Sequence, residues 1–265
     1  MLEIKHIAKT FNPGTITEKK ALVDVDLHLQ PGDFVTVIGG NGAGKSTMLN
    51  AVAGTYFVDK GSIHIGGVNV TRLPEHKRAA YLGRVFQDPM NGTAATMSIE
   101  DNLAIAMRRG QRRTLKWGIT NAERKLYKEK LATLGLGLEN RMSSRVGLLS
   151  GGQRQALTLL MATLTQPKLL LLDEHTAALD PKTAKNVLTL TQQIIAENKL
   201  TAMMVTHNMK DALQYGNRTI MMHEGRIILD ISGETKRSIG VDDLLVMFEK
   251  ASGSAMNNDR ILLAK

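Results

Sequence analysis

Gly39-Gly40-Asn41-Gly42-Ala43-Gly44-Lys45-Ser46 fits the pattern G-x-x-x-x-G-K-[ST], and Thr47 follows it. Just upstream, the apolar run Phe34–Ile38 reads as a buried strand entering a turn. Just downstream, Lys45–Ala53 reads as a helix stopped by Gly54. Strand, glycine-rich turn and helix are the context in which this pattern cradles phosphates. The glycines let the backbone wrap closely, so that several N–H groups point inward. The helix N-terminus adds the positive end of its dipole. In such a loop Lys45 reaches the β- and γ-phosphates, Ser46 offers its hydroxyl to Mg²⁺, and Thr47 sits near the α-phosphate.

Further out, Leu2–Ile7 and Leu22–Leu29 alternate apolar and polar residues as half-buried strands, separated by the loop signal Asn12-Pro13-Gly14. Ser62–Val70 has strand character with a turn at Gly66-Gly67. From about residue 98 to 165 helical spacing dominates, as with Leu126, Leu131 and Leu134. After Pro167 the strand–helix alternation returns, with apolar strands at Lys168–Leu172 and Thr201–Thr206. A hairpin, Arg218–Met222 and Arg226–Ile231, turns at His223-Glu224-Gly225. From Gly240 one helix and a loose end are expected, too short for a regulatory domain. The expected fold is α/β: a P-loop core, an antiparallel β subdomain and an inserted helical subdomain.

Two more stretches carry chemistry. Leu169-Leu170-Leu171-Leu172-Asp173-Glu174 is an apolar strand ending in two carboxylates, at the sheet edge where α/β proteins bind ligands. Asp173 can hold Mg²⁺ through water, and Glu174 can polarise a water for attack on the γ-phosphate. Alone, such an ending is common; behind a phosphate loop it is specific. Leu149-Ser150-Gly151-Gly152-Gln153 precedes a helical run, Arg154 to Thr165, and makes a second helix start suited to phosphate. One nucleotide needs one phosphate loop, so the second start points to completing the site of another copy.

Composition bounds the rest. The 265 residues suffice for a substantial core, and 43% hydrophobic with 22% charged residues is a globular balance. The absence of cysteine excludes disulfides and thiolate metal sites and suits a reducing compartment. No run approaches the roughly 18 apolar residues of a spanning helix, and MLEIKHIAKTF is no signal peptide. The net charge of +9 favours anionic partners or marks a basic surface with no single partner. Arg108, Arg109, Arg112, Arg113 and Lys116, with Trp117 among them, read as a solvated face or a lipid-headgroup contact rather than a nucleic-acid site.

Taken together, these stretches resemble the ABC ATPase family. Leu149–Gln153 is similar to its signature sequence. Phe11 resembles the aromatic residue that stacks on adenine. Gln87, within Val85-Phe86-Gln87-Asp88-Pro89, resembles the Q-loop glutamine. Ala178-Leu179-Asp180 resembles the D-loop, and His207 the switch histidine. Taken singly, Phe11 could equally pack a core, Gln87 be a loop amide and His207 be structural. The resemblance spans residues 1 to about 235 with every motif in order.

It implies a domain over residues 1–240 with the helical subdomain at about 88–165, followed by a short helix and tail over 241–265. It implies two ATP molecules between two subunits arranged head to tail. Phe11, Lys45, Ser46, Thr47, Gln87, Asp173, Glu174 and His207 then serve one nucleotide. Ser150, Gly151, Gly152 and Gln153 serve the partner's, and Asp180 lies at the same interface. Ser46, Asp173 and Gln87 face Mg²⁺. Partners are integral membrane permease subunits and an extracytoplasmic substrate-binding protein, with the chain peripheral on the cytoplasmic side of the cell membrane and no nucleic acid expected. Most family members follow the Asp-Glu pair with Pro-Thr. His175-Thr176 departs from that, at a position expected to matter little for its side chain. The string Asp173–Asp180 resembles a bacterial uptake subgroup, some members of which are associated with tryptophan or tyrosine. An exporter ATPase, or an ABC-type ATPase acting on nucleic acid or the ribosome, are the competing classes. The latter usually carry two cassettes or long coiled coils, for which this sequence has no room.

Overall fold

A computed structural model describes residues 1–111 and 118–253. Its strands are β1 (Leu2–Phe11), β2 (Lys19–Leu29), β3 (Phe34–Gly39), β4 (Lys60–Ile65), β5 (Val68–Asn69), β6 (Leu82–Val85), β7 (Leu169–Asp173), β8 (Ala202–Val205), β9 (Arg218–His223) and β10 (Arg226–Ser232). Its helices are α1 (Lys45–Ala53), α2 (Glu75–Arg78), α3 (Ile99–Met107), α4 (Asn121–Ala132), α5 (Gly151–Thr163), α6 (Pro181–Glu197), α7 (Met209–Gln214), α8 (Gly233–Ser238) and α9 (Val241–Ser252).

The strands form two sheets. One is antiparallel, in the order β2-β1-β4-β5; the other runs β10-β9-β3-β8-β7-β6. In the second, β6, β7, β8, β3 and β9 are parallel, and only β10 is antiparallel to its neighbour. Parity along β7 shows why its sequence is wholly apolar. Leu170 and Leu172 enter a core shared with α3, α4, α5 and α6. Leu169 and Leu171 enter a different core, shared with α1 and the antiparallel sheet. A strand buried on both faces needs no alternation. The inserted helices α3 to α5 therefore share one core with the sheet. A third cluster packs α7 and α9 over Ile38, Met221 and Ile231.

The expected strands and helices are present, most with ends shifted by a residue or more. The sequence reading had no element for β6, α2 or α8. Arg78 on α2 is fully buried, although its neighbours Glu75, His76 and Lys77 are polar. Its guanidinium donates to the carbonyls of Ala51 (2.6 Å), Val52 (2.9 Å), Leu73 (2.8 Å) and Thr71 (3.0 Å). Two of these belong to the last turn of α1, whose carbonyls have no intrahelical partner. Burial lowers the Arg78 pKa to about 10, which still leaves it charged at neutral pH. Arg78→Met keeps the volume but orphans four acceptors. A loss of about 3 kcal/mol is expected, or a drop of roughly 6–12 °C in Tm. Thermal unfolding measures it, and an unchanged Tm would show that the carbonyls find other partners.

Candidate nucleotide-binding site

The parallel strands β3, β7 and β8 end side by side, and the site gathers at their carboxyl edge. The chain leaves β3 through the glycine-rich loop and enters α1. Gly44 caps α1 at φ 103°, and a Cβ there would stand 2.7 Å from the Ala21 carbonyl oxygen of β2. Both the left-handed conformation and this contact require glycine. Lys45 is buried, and its Nζ donates to the carbonyls of Gly39 (2.8 Å) and Gly40 (3.1 Å). The ammonium is thus held beneath the loop, while Asn41, Gly42 and Ser46 are exposed.

A cleft of about 220 Å³ is lined by Asn41 to Thr47, Glu174, His207, Lys19 and Ala21. Ligand pockets usually measure about 300–1,000 Å³, so this one fits part of a nucleotide. Lys19 and Ala21 carried no signal in the sequence. Lys19 adds a second ammonium to the loop, near Gly42.

Across the cleft, Asp173 ends β7 and Glu174 follows at φ 46°. The Glu174 N–H donates to the Val205 carbonyl on β8 at 3.1 Å, which fixes this strained turn. Its Oε1 lies 2.6 Å from His207 Nε2. Glu174 and His207 are therefore in direct contact beside the glycine-rich loop. Burial raises the Asp173 carboxyl above its ordinary range, opposed by the Arg84 guanidinium at 3.5 Å. Ser46 and Asp173 offer oxygen donors only, the donor type that a hard cation such as Mg²⁺ takes.

Gly39, Gly40, Asp173 and the other expected residues lie outside that cleft lining. Phe11 packs edge-on against Tyr56, with ring centroids 5.2 Å apart, and Lys9 Nζ stands 5.7 Å from its ring. Tyr56 had no place in the sequence reading. Gln87 is exposed, beyond the end of β6. Ser150 caps α5: its Oγ accepts from the Gln153 N–H at 3.3 Å, and the Gln153 side chain accepts from the Ser150 N–H at 3.2 Å. Ser150 and Gly151 are exposed. Gly152 has a packing reason as well, since a Cβ would stand 2.3 Å from Thr183 Cγ2 on α6. Asp180 caps α6, accepting from the Thr183 N–H at 3.1 Å, and hydrogen bonding from the Thr183 side chain and then its backbone holds the carboxyl below the usual range. The chain thus presents a phosphate loop with its carboxylates in one place and an exposed, capped helix start in another.

Two sequence readings need correction. His175 is 2% exposed, with Nε2 3.1 Å from Thr191 Oγ1 on α6, and burial pushes its pKa down to about 4. Its side chain is a core contact that packs the turn after β7 on α6. In the basic cluster, Arg108 pairs with Glu123 at 2.9 Å, and Arg109 donates to the Ala162 carbonyl and Thr165 Oγ1, each at 2.9 Å. Both tie helices together instead of forming a free basic face. Arg112, Arg113, Lys116 and Trp117 lie outside the described residues. Among the described residues no helix is long and apolar enough to cross a membrane.

Comparison with known proteins matches residues 22–177 to the family model described as ABC transporter. The chain is 42% identical to a tyrosine transport ATP-binding protein of Clostridioides difficile, over 95% of this chain and 100% of that one. It is 31% identical to the methionine import ATP-binding protein MetN of Streptococcus pneumoniae, over 94% of this chain and 74% of that one. Among solved structures it is similar to the ATP-binding cassette MJ0796 in a dimeric post-hydrolysis state bound to ADP and Pi. That match has a TM-score of 0.75 and 27% identity, covering 88% of this chain and 98% of that one. The ADP conformation of the cassette MJ1267 matches with a TM-score of 0.76 and 25% identity, covering 96% and 97%.

Proposed function

This chain belongs to the ABC transporter family of ATP-binding, ATP-hydrolysing proteins, and on that premise we propose that it powers uptake of an amino acid, with an aromatic one such as tyrosine as the cargo. The observation that carries the cargo class is end-to-end similarity to a tyrosine transport ATP-binding protein, at 42% identity.

In this reading two copies assemble head to tail, each pairing its phosphate loop with the other's Ser150–Gln153. Lys45, Ser46 and Thr47 hold the phosphates, and Phe11 stacks on adenine. Ser46, Asp173 and Gln87 face Mg²⁺, which neutralises charge on the phosphates when bound. Glu174 orients and deprotonates the attacking water, and His207 holds Glu174 and the γ-phosphate together. The 2.6 Å contact between Glu174 and His207 supports that pairing. Asp180 joins the interface from the start of α6. Residues 1–240 form the ATPase domain, with the helical part at about 88–165 facing permease subunits, and 241–265 form an appended helix and tail. The complex sits on the cytoplasmic face of the cell membrane and receives cargo from an extracytoplasmic binding protein.

Mild solubilisation of native membranes and capture of the tagged chain tests the assembly. A multi-spanning permease and an extracytoplasmic binding protein are expected, and the captured binding protein should bind tyrosine. A permease without a binding protein would favour export. Ribosomal or nucleic-acid partners without a permease would overturn the transport reading.

A further inference from the structure

Arg84, on β6, reaches three other elements and a connecting loop at once. Its Nη2 donates to Asn50 Oδ1 on α1 at 2.6 Å and stands 3.5 Å from Asp173 Oδ2 on β7. Its Nη1 donates to Thr55 Oγ1 at 3.1 Å and lies 3.6 Å from Glu75 Oε1 on α2. The guanidinium carbon sits 4.6 Å from the centroid of the Phe86 ring, the residue before Gln87. The Arg84 side chain is 11% exposed and that of Asp173 17%. At that burial the pair is poorly screened, and the single Nη2 contact draws the Asp173 Oδ2 side of the carboxylate toward Arg84.

These contacts converge on the two elements that supply the oxygen donors. Asn50 is on the helix that begins with Lys45 and Ser46, and Asp173 carries the carboxylate. A carboxylate with one oxygen held by a guanidinium keeps the other for a cation or its bound water. We infer that Arg84 is a positioning residue for the magnesium nucleotide, locking Asp173 to α1 so that the carboxylate and Ser46 are presented together. Residues that orient metal-facing groups in this way set metal affinity without touching the metal. The inference rests on the reading of Asp173 as facing Mg²⁺.

The test titrates Mg²⁺ against binding of the fluorescent analogue mant-AMP-PNP, with EDTA giving the metal-free affinity. It compares wild type, Arg84→Met, Arg84→Lys and Asp173→Asn. Methionine keeps an unbranched apolar side chain and removes the guanidinium, together with its contact on the Phe86 ring. Arg84→Met is expected to raise the Mg²⁺ concentration for half-maximal effect roughly tenfold, with metal-free affinity unchanged. Arg84→Lys, which keeps the charge without the guanidinium, should fall between. It carries the test alone if Arg84→Met does not fold. An unchanged Mg²⁺ requirement in both Arg84 variants, with Asp173→Asn impaired, overturns the role of Arg84 and leaves Asp173 as metal-facing. An equal loss of affinity in EDTA and in Mg²⁺ also overturns it, because general loosening would act on both. An Asp173→Asn variant with wild-type Mg²⁺ dependence overturns both readings together.

Discussion

Glu174→Gln is expected to bind ATP as tightly as wild type and to hydrolyse it roughly a thousandfold more slowly. The substitution changes one atom group. Glutamine has the same length, and the backbone is held independently by the Glu174 N–H bond to Val205. An amide can still meet His207 Nε2, 2.6 Å from the present carboxylate oxygen, so the histidine keeps a partner. What is lost is a group that can take a proton from water. The nucleotide then persists uncleaved, and a dimer that closes around ATP should outlast its usual lifetime. Single-turnover hydrolysis, equilibrium nucleotide binding and size-exclusion in ATP read the three effects separately. Hydrolysis within a few-fold of wild type would rule out Glu174 as the base. The left-handed φ of 46° gives a second handle. Glu174→Gly should relieve backbone strain of about 1–3 kcal/mol and raise Tm while abolishing turnover. A turn built for packing alone would show no such opposition.

The turn at Asp173-Glu174 also shows what the sequence could and could not disclose. The run Leu169–Leu172 announced an apolar strand, and Asp173-Glu174 at its end announced ligand chemistry. The glycine spacing around Lys45 announced the loop. These are local signals: a period, a spacing, a breaker. By contrast β6 is four residues long, contains Gly83 and Arg84, and has no period of its own. Only pairing with β7 makes it a strand. Arg78 lies in a run of polar residues that looks solvated, yet its burial is set by four carbonyls, two of them on α1. His175 looked like a substitution of small consequence because its neighbour on α6, Thr191, is sixteen positions away. Lys19 reaches Gly42 from the start of β2, and Tyr56 meets Phe11 at the end of β1. In each case the deciding contact is tertiary, so no window of sequence contains it.

Ser150→Arg is expected to leave nucleotide binding intact and reduce turnover a hundredfold or more, by analogy with the loss of a positioned donor to a charged transition state. The serine has a local duty, since its Oγ caps α5 with Gln153. Losing that cap costs about 1 kcal/mol, far too little to unfold the protein, so a modest drop in Tm cannot account for the lost turnover. The distinction between acting within the chain and across the dimer then follows from mixing two inactive proteins. A Ser150→Arg chain keeps its own Glu174, and a Glu174→Gln chain keeps its own Ser150. If Ser150 serves the partner's nucleotide, the mixed dimer contains one site with both groups intact, and activity returns on mixing. If Ser150 serves its own nucleotide, every site in the mixture lacks one group, and mixing restores nothing. Recovered hydrolysis that scales with the fraction of mixed dimer is the expected result. Silence at all ratios, with mixed dimers demonstrably formed, would place Ser150 in the chemistry of its own chain.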